Sequence, residues 1–260
     1  MRYLLFLALA LALPASADQR PMPRPDTPVV VIDPGHGGRD PGADAGDLTE
    51  ADLMLAFATE LARAIETATP FDARLTRATD TYVSLDDRIA RARALGADAF
   101  LSLHADTLPG GASARGATVY TLADSAGDAA SRRLVERHEA GLLSRSALTA
   151  ADGDGIALVL LDMARRDTRP RTEALAGQIL SAFDIAGLPV APRPRRTANF
   201  SVLKSADMPS VLLELGFLSS DADLARLATP EGRAPVAAAL AGALDAWWAD
   251  DRARDALKGR

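Results

Sequence analysis

Val29-Val30-Val31-Ile32 run straight into Asp33-Pro34-Gly35-His36-Gly37-Gly38, and this junction constrains the chain more than any other stretch. Four β-branched residues in a row read as a buried strand, because branched side chains pack well on a pleated surface. Pro34-Gly35 stop the strand, and His36 is held in a loop of three glycines. Glycine there lets other groups approach the backbone closely. A histidine at the C-terminal end of a core strand sits where open α/β sheets place their ligands. A turn carrying a surface histidine is the competing reading of this stretch alone.

The rest of the chain repeats the strand–helix alternation. Thr49 and Asp52 form an acidic capping-box pattern at the start of a helix carrying Leu53, Phe57, Leu61 and Ile65 at helical spacing. A strand is expected over 71–76, a helix over 84–95, a strand over 97–103 ending on His104, and another over 117–122. Residues 125–168 break the rhythm with helices over 128–144 and 156–166, separated by a Gly/Asp turn at 152–155. A further helix is read over 172–186, strands over 200–203 and 210–215, and helices over 221–227 and 230–248. The charged residues 250–260 are expected to fray. Alternation of this kind predicts an α/β fold built as one domain, and 125–168 read as an inserted, regulatory element.

Two of the three histidines, His36 and His104, directly follow apolar strand runs. Strand ends in such a sheet can share one edge, which would bring both rings together. Glu50, at the start of the first helix, offers a carboxylate; two His and one carboxylate with an open position form a known catalytic zinc set. The competing reading of Glu50 is a first-turn acid favoured by the helix dipole. Glu214 lies inside Val211-Leu212-Leu213-Glu214-Leu215, where a buried carboxylate is costly unless paired or bound. Facing a metal, it can act as a general acid/base on the attacking water and the leaving amine. Asp33 competes as a ligand but reads better as a partner that orients His36. Arg77, Asp80, Tyr82 and Arg88 read as structural or substrate-edge residues. His138, in Arg137-His138-Glu139, reads first as a solvated surface residue.

Composition narrows the chemistry. The 260 residues contain no cysteine, so disulfides, a thiol nucleophile and Cys-ligated zinc are excluded. Arg2, the apolar run from Leu4 to Leu13 and Ala15-Ser16-Ala17 read as a signal peptide over 1–17. A polar, proline-rich leader follows over 18–27, and the catalytic domain is expected over 28–249. The exported protein, periplasmic and soluble, carries a formal charge of −7 once Arg2 is removed from the −6 of the whole chain. Such an acidic chain is a poor nucleic-acid binder, and nothing in it calls for more than a monomer.

The ordered blocks Val31-Ile32-Asp33-Pro34-Gly35-His36-Gly37-Gly38, Glu50, Thr76-Arg77 with Asp80-Thr81-Tyr82-Val83-Ser84-Leu85 and Arg88, and Ser102-Leu103-His104-Ala105-Asp106 are followed by Asn199-Phe200-Ser201-Val202-Leu203-Lys204 and Met208-Pro209-Ser210-Val211-Leu212-Leu213-Glu214-Leu215-Gly216-Phe217-Leu218-Ser219. Together they resemble the zinc-dependent N-acetylmuramoyl-L-alanine amidases, the cell-wall amidases of daughter-cell separation. The resemblance spans about 29–248. It implies a mixed, mostly parallel sheet flanked by helices, one zinc on His36, Glu50 and His104, and Glu214 as catalytic acid/base. The implied substrate is peptidoglycan, cut between the lactyl group of N-acetylmuramic acid and L-alanine. It also implies that 125–168 is an autoinhibitory insertion displaced by an activator protein of the division machinery. Glu136, His138 and Glu139 are the candidates to cap the metal. Some relatives carry a separate wall-targeting domain before the catalytic one, and none is expected here. A zinc peptidase for stem peptides, a catalytically silent wall-binding protein and a glycosidase using Asp33 and Glu214 are the alternatives. Retention of all three ligand types and Glu214 argues against the silent protein, and the glycosidase does not explain the strand-end histidines.

Overall fold

The computed structural model describes residues 27–107, 114–123, 128–139 and 155–258. The expected signal peptide, nearly all of the leader and the 125–127 and 140–154 parts of the insertion lie outside the described residues. A six-stranded sheet has the order β4-β1-β5-β8-β6-β7. Its strands are β1 (Val29–Pro34), β4 (Asp72–Leu75), β5 (Ala99–His104), β6 (Ala117–Leu122), β7 (Val190–Ala198) and β8 (Ser210–Glu214), and Asp44–Ala45 pair with Leu48–Thr49 as a small β2–β3 ribbon. β4, β1, β5 and β8 are parallel neighbours; β6 runs antiparallel to β8, and β7 parallel to β6. The sheet is thus mixed and mostly parallel, as the resemblance implied.

Period two along each strand divides the core. Val30, Ile32, Leu101, Leu103, Val211 and Leu213 face one layer, and Val31, Phe100, Tyr120 and Leu212 the other. The first layer holds α1 (Glu50–Ala68), the second half of α4 (Gly155–Ile185), α5 (Asp221–Ala228) and α6 (Pro230–Lys258). The second holds α2 (Leu85–Ala94), α3 (Ala129–His138) and a 3-10 turn, Ser201–Leu203. Both faces are covered, which is why the central strands read as unbroken apolar runs. Among the described residues, no helix is long and apolar enough to cross a membrane.

Four expectations are corrected. The apolar run at 200–203 is a 3-10 turn, a confusion that short apolar segments invite. The helices expected at 156–166 and 172–186 are one helix, α4, which continues through Pro170. Thr168 Oγ1 lies within hydrogen-bonding reach of Ala164 O and Ala206 O, and Arg171 pairs with the buried Asp251. That pair also keeps the last helix ordered to Lys258, where fraying was expected. The fourth is β7, a strand the sequence reading lacked. It contains two prolines and three arginines, tolerable because it pairs with β6 alone at the sheet edge.

Candidate metal centre

Three strand ends build the centre. His104 closes β5 and Glu214 closes β8, paired in register, while His36 follows β1 by two residues. Glu50 is the first residue of α1, placed by a complete Thr49/Asp52 capping box. Close approach depends on glycine at two positions. A Cβ at Gly35 would overlap the His104 ring, and one at Gly42, where φ is +70°, would come within 2.7 Å of both Glu50 Oε2 and the His36 ring. His36 itself adopts φ 57°, a left-handed conformation costly for a non-glycine residue. Such strain persists where surroundings enforce it, and it concentrates at functional sites.

Arg77 and Arg88 enforce it. Arg77 donates to Pro34 O and to Gly35 O (2.7 Å), and Arg88 Nη2 donates to His36 O at 2.7 Å. Both act on the frame of the loop, which answers the open question about them in favour of structure. Asp33 makes no hydrogen bond to the His36 ring, the role expected of it. It accepts from Thr76 Oγ1, Ser102 Oγ and Arg88 Nη1, and it acts on His36 only by anchoring Arg88. The ring partner is Asp40, whose Oδ2 lies 3.0 Å from His36 Nδ1, a contact the sequence reading missed. Asp33 and Arg88 are both buried, so Arg88→Met strands a charge. We expect it to cost about 3–5 kcal/mol in urea-induced unfolding; a loss below about 1 kcal/mol would show that the pair is not what holds the loop.

The side chains converge tightly. Glu50 Oε1 lies 2.9 Å from His104 Nδ1 and accepts from Ala105 N, while Oε2 accepts from Ala43 N. His36 Nε2 lies 3.2 Å from Glu50 Oε2, yet it makes no hydrogen bond among the described residues. A ring nitrogen and a carboxylate oxygen this close, outside hydrogen-bonding geometry, are placed as ligands of one ion would be. His138 completes the cluster: one ligand atom from each of His36, Glu50, His104 and His138 lies within 4.8 Å of the others. His138 is only 8% exposed, which corrects its reading as a solvated residue. Leu134 and His138 share the buried face of α3, and their four-residue spacing was the available signal. Glu136 is exposed, and Glu139 turns away to accept from Ser201 N and Ser201 Oγ. Of the three capping candidates, His138 alone reaches the cluster.

Protonation follows from these contacts. Burial raises the Glu50 carboxyl, but the charge of His36 and the His104 hydrogen bond hold it well below the usual range. Burial, opposed by Glu50, lowers His104; burial together with the His104 charge pushes His138 well below the ordinary imidazole value. Burial lowers His36 too, but the Glu50 charge and the Asp40 hydrogen bond outweigh it and raise its pKa to about 10. An ionised carboxylate and neutral imidazoles are the donor states a cation requires, so the set fits a zinc-type metal, with one proton to displace from His36. Glu214 stands beside it. Its Oε2 accepts from Asp106 N, its Oε1 lies 3.3 Å from His138 Nε2 without a hydrogen bond, and burial, reinforced by Glu50 and Asp106, drives its pKa well up.

Fold and site together define an α/β protein with a strand-edge centre that can hold a metal ion beside a buried carboxylate. The family model described as N-acetylmuramoyl-L-alanine amidase matches residues 30–246, and the chain belongs to that family. It is 34% identical to the N-acetylmuramoyl-L-alanine amidase AmiA of Salmonella typhimurium over 233 residues, covering 86% of this chain and 78% of that one. It is 32% identical to AmiC of Neisseria meningitidis over 82% of this chain, spanning about half (51%) of that relative's length. The solved structure of the amidase AmiC2 of Nostoc punctiforme superposes with a TM-score of 0.58 at 28% identity, covering 84% of this chain and 94% of that one.

Proposed function

We propose that this chain is an exported, zinc-dependent peptidoglycan amidase that cuts between the lactyl group of N-acetylmuramic acid and the L-alanine of the stem peptide. The observation that carries the reading is the convergence of His36, Glu50 and His104 beside Glu214, with His36 Nε2 left unpartnered. Family membership supports the substrate. In this reading His36, Glu50 and His104 hold one zinc ion, which when bound supplies Lewis acidity toward an amide carbonyl and toward water. Glu214 is the acid/base. Its Oε2 is fixed by Asp106 N and its Oε1 faces the cluster, so it takes a proton from the attacking water and gives it to the departing amide nitrogen. The raised carboxyl pKa suits a group that must both accept and return a proton near neutrality. Cell-wall remodelling at daughter-cell separation, in the periplasm, is the setting we assign.

In this reading the described arrangement is the closed one. A cavity of about 20 Å³ lies between His36, His104, His138 and Phe200, room for about one water and none for a muropeptide. His138 caps the centre from α3, and we assign 125–168 as the autoinhibitory insertion that an activator protein displaces.

The test is the metal content of the purified protein beside His36→Ala. About one zinc per chain is expected in the parent and none in the variant, together with release of stem peptide from purified peptidoglycan once the insertion is displaced. A metal-free parent after reconstitution would overturn the zinc assignment. Because His36 in the metal-free protein holds its proton up to about pH 10, zinc must displace it at any lower pH. Apparent zinc affinity should therefore rise about tenfold from pH 7 to pH 8, read by calorimetry in buffers of different ionisation enthalpy. A pH-independent affinity would mean that His36 is not a ligand.

A further inference from the structure

We propose that the cavity between α4 and the far end of β6 binds the terminal carboxylate of a short peptide. The cavity measures about 280 Å³, and its walls include Thr121 of β6, Arg165, Arg169 and Glu173 of α4, and the apolar Leu203 and Met208. It lies at the opposite edge of the sheet from the metal centre. Ser210, where β8 starts, lines it, whereas Glu214 ends β8 about 13 Å further along the strand. Nothing bound there can touch the metal ligands, so this site stands apart from the amidase reading.

Two donors in its wall have no partner among the described residues. Thr121 is 1% exposed, and its Oγ1 makes no hydrogen bond among the described residues. Arg165 Nε is also buried and makes no hydrogen bond among the described residues. Neighbouring hydroxyls are not in this state: Thr168 Oγ1 reaches two backbone carbonyls, and Thr172 Oγ1 accepts from Ser210 N. A buried donor without an acceptor keeps its full desolvation cost, so a hydroxyl and a guanidinium lining one cavity mark a place where a ligand supplies the acceptor. An oxyanion does so best, with a charge-assisted bond to the guanidinium.

The remaining walls select the oxyanion. Glu173, ion-paired to Arg195, borders the same cavity. Its carboxylate opposes a phosphate dianion but accepts from a peptide N–H. Leu203 and Met208 offer an apolar wall to an aliphatic side chain, which a free phosphate does not need. The volume falls at the small end of ligand sites, enough for one or two residues of a peptide end.

The experiment is isothermal titration of the zinc-loaded full chain with N-acetyl-alanyl-alanine, its C-terminal amide and inorganic phosphate. The free acid is expected to bind at least tenfold more tightly than the amide. Thr121→Val and Arg165→Gln should each weaken it about tenfold. Thr121→Ser, which restores the hydroxyl, should keep parental affinity and controls for a folding defect in the valine variant. Glu214→Gln should leave it unchanged, which separates this cavity from the metal centre even if the amidase reading fails. Equal affinity for the acid and the amide, binding insensitive to both cavity variants, or binding of phosphate but not of peptide would each overturn the proposal.

Discussion

Glu214→Gln should keep its zinc and lose about three orders of magnitude in kcat for muropeptide amide hydrolysis. The carboxyl is fully buried, with one oxygen fixed by Asp106 N and the other facing the cluster. Glutamine preserves volume and can still accept from Asp106 N, so packing is barely touched. What it removes is the ability to carry a proton, and general acid/base groups contribute about 10²–10⁴ in rate. Because His36, Glu50 and His104 are unaltered, metal content should not change, and KM should move far less than kcat. The loss should appear in kcat against pH as well. A carboxyl held high by burial, Glu50 and Asp106 is protonated over part of the acidic range, so the parent rate should fall on the acid side and the variant's residual rate should not follow that limb. A variant within tenfold of the parent would remove Glu214 from the chemistry. A variant without zinc would instead make it a determinant of the metal site.

The legible parts of this molecule are those whose causes are local. The β1 run, the Pro34-Gly35 stop and the Thr49/Asp52 capping box are each set by neighbouring residues, and each appears where the sequence places it. Strand ends bearing His36, His104 and Glu214 were legible too, because a polar residue interrupting an apolar run has few uses. What escaped depends on distant partners. β7 is a strand because β6 offers an edge, although Pro192, Pro194 and its arginines argue locally against one. α4 survives Pro170 through contacts with Ala206 and Asp251. Asp40 is the His36 partner because the glycine loop folds back on itself, with Gly37 and Asp40 bridging. Asp33 was read one step too near. Its effect on His36 passes through Arg88, a residue 55 positions away in the chain. Burial of His138 follows from α3 packing over the sheet edge, and surrounding charges on Arg137 and Glu139 hide that face in the sequence.

His138→Ala should raise amidase activity at least tenfold while zinc content stays at about one per chain. The expectation rests on what His138 touches. Its ring centroid lies 4.4 Å from that of His104 and 5.4 Å from that of His36, and its Nε2 stands 3.3 Å from Glu214 Oε1. One imidazole therefore occupies both the space above the ligands and the space before the acid/base, and substrate cannot enter while it stays. In the proposed reading His36, Glu50 and His104 suffice for a catalytic zinc, which keeps an open position. If the open form is about 1% populated, removing about 1.4 kcal/mol of closing energy raises the competent fraction, and with it the rate, about tenfold. The gain should stop short of full opening, because α3 keeps other anchors. Arg137 pairs with Asp106, Glu139 accepts from Ser201, and Arg196 reaches Asp128 at the helix start at 2.7 Å. Adding Arg137→Ala should thus increase activity further, by a factor no larger than it gives alone in the parent. The second substitution also frees the Asp106 segment whose backbone N–H fixes Glu214, so KM and kcat must be read separately. Unchanged activity with zinc retained would remove His138 as the cap. Loss of zinc would reassign it as a ligand the centre cannot do without.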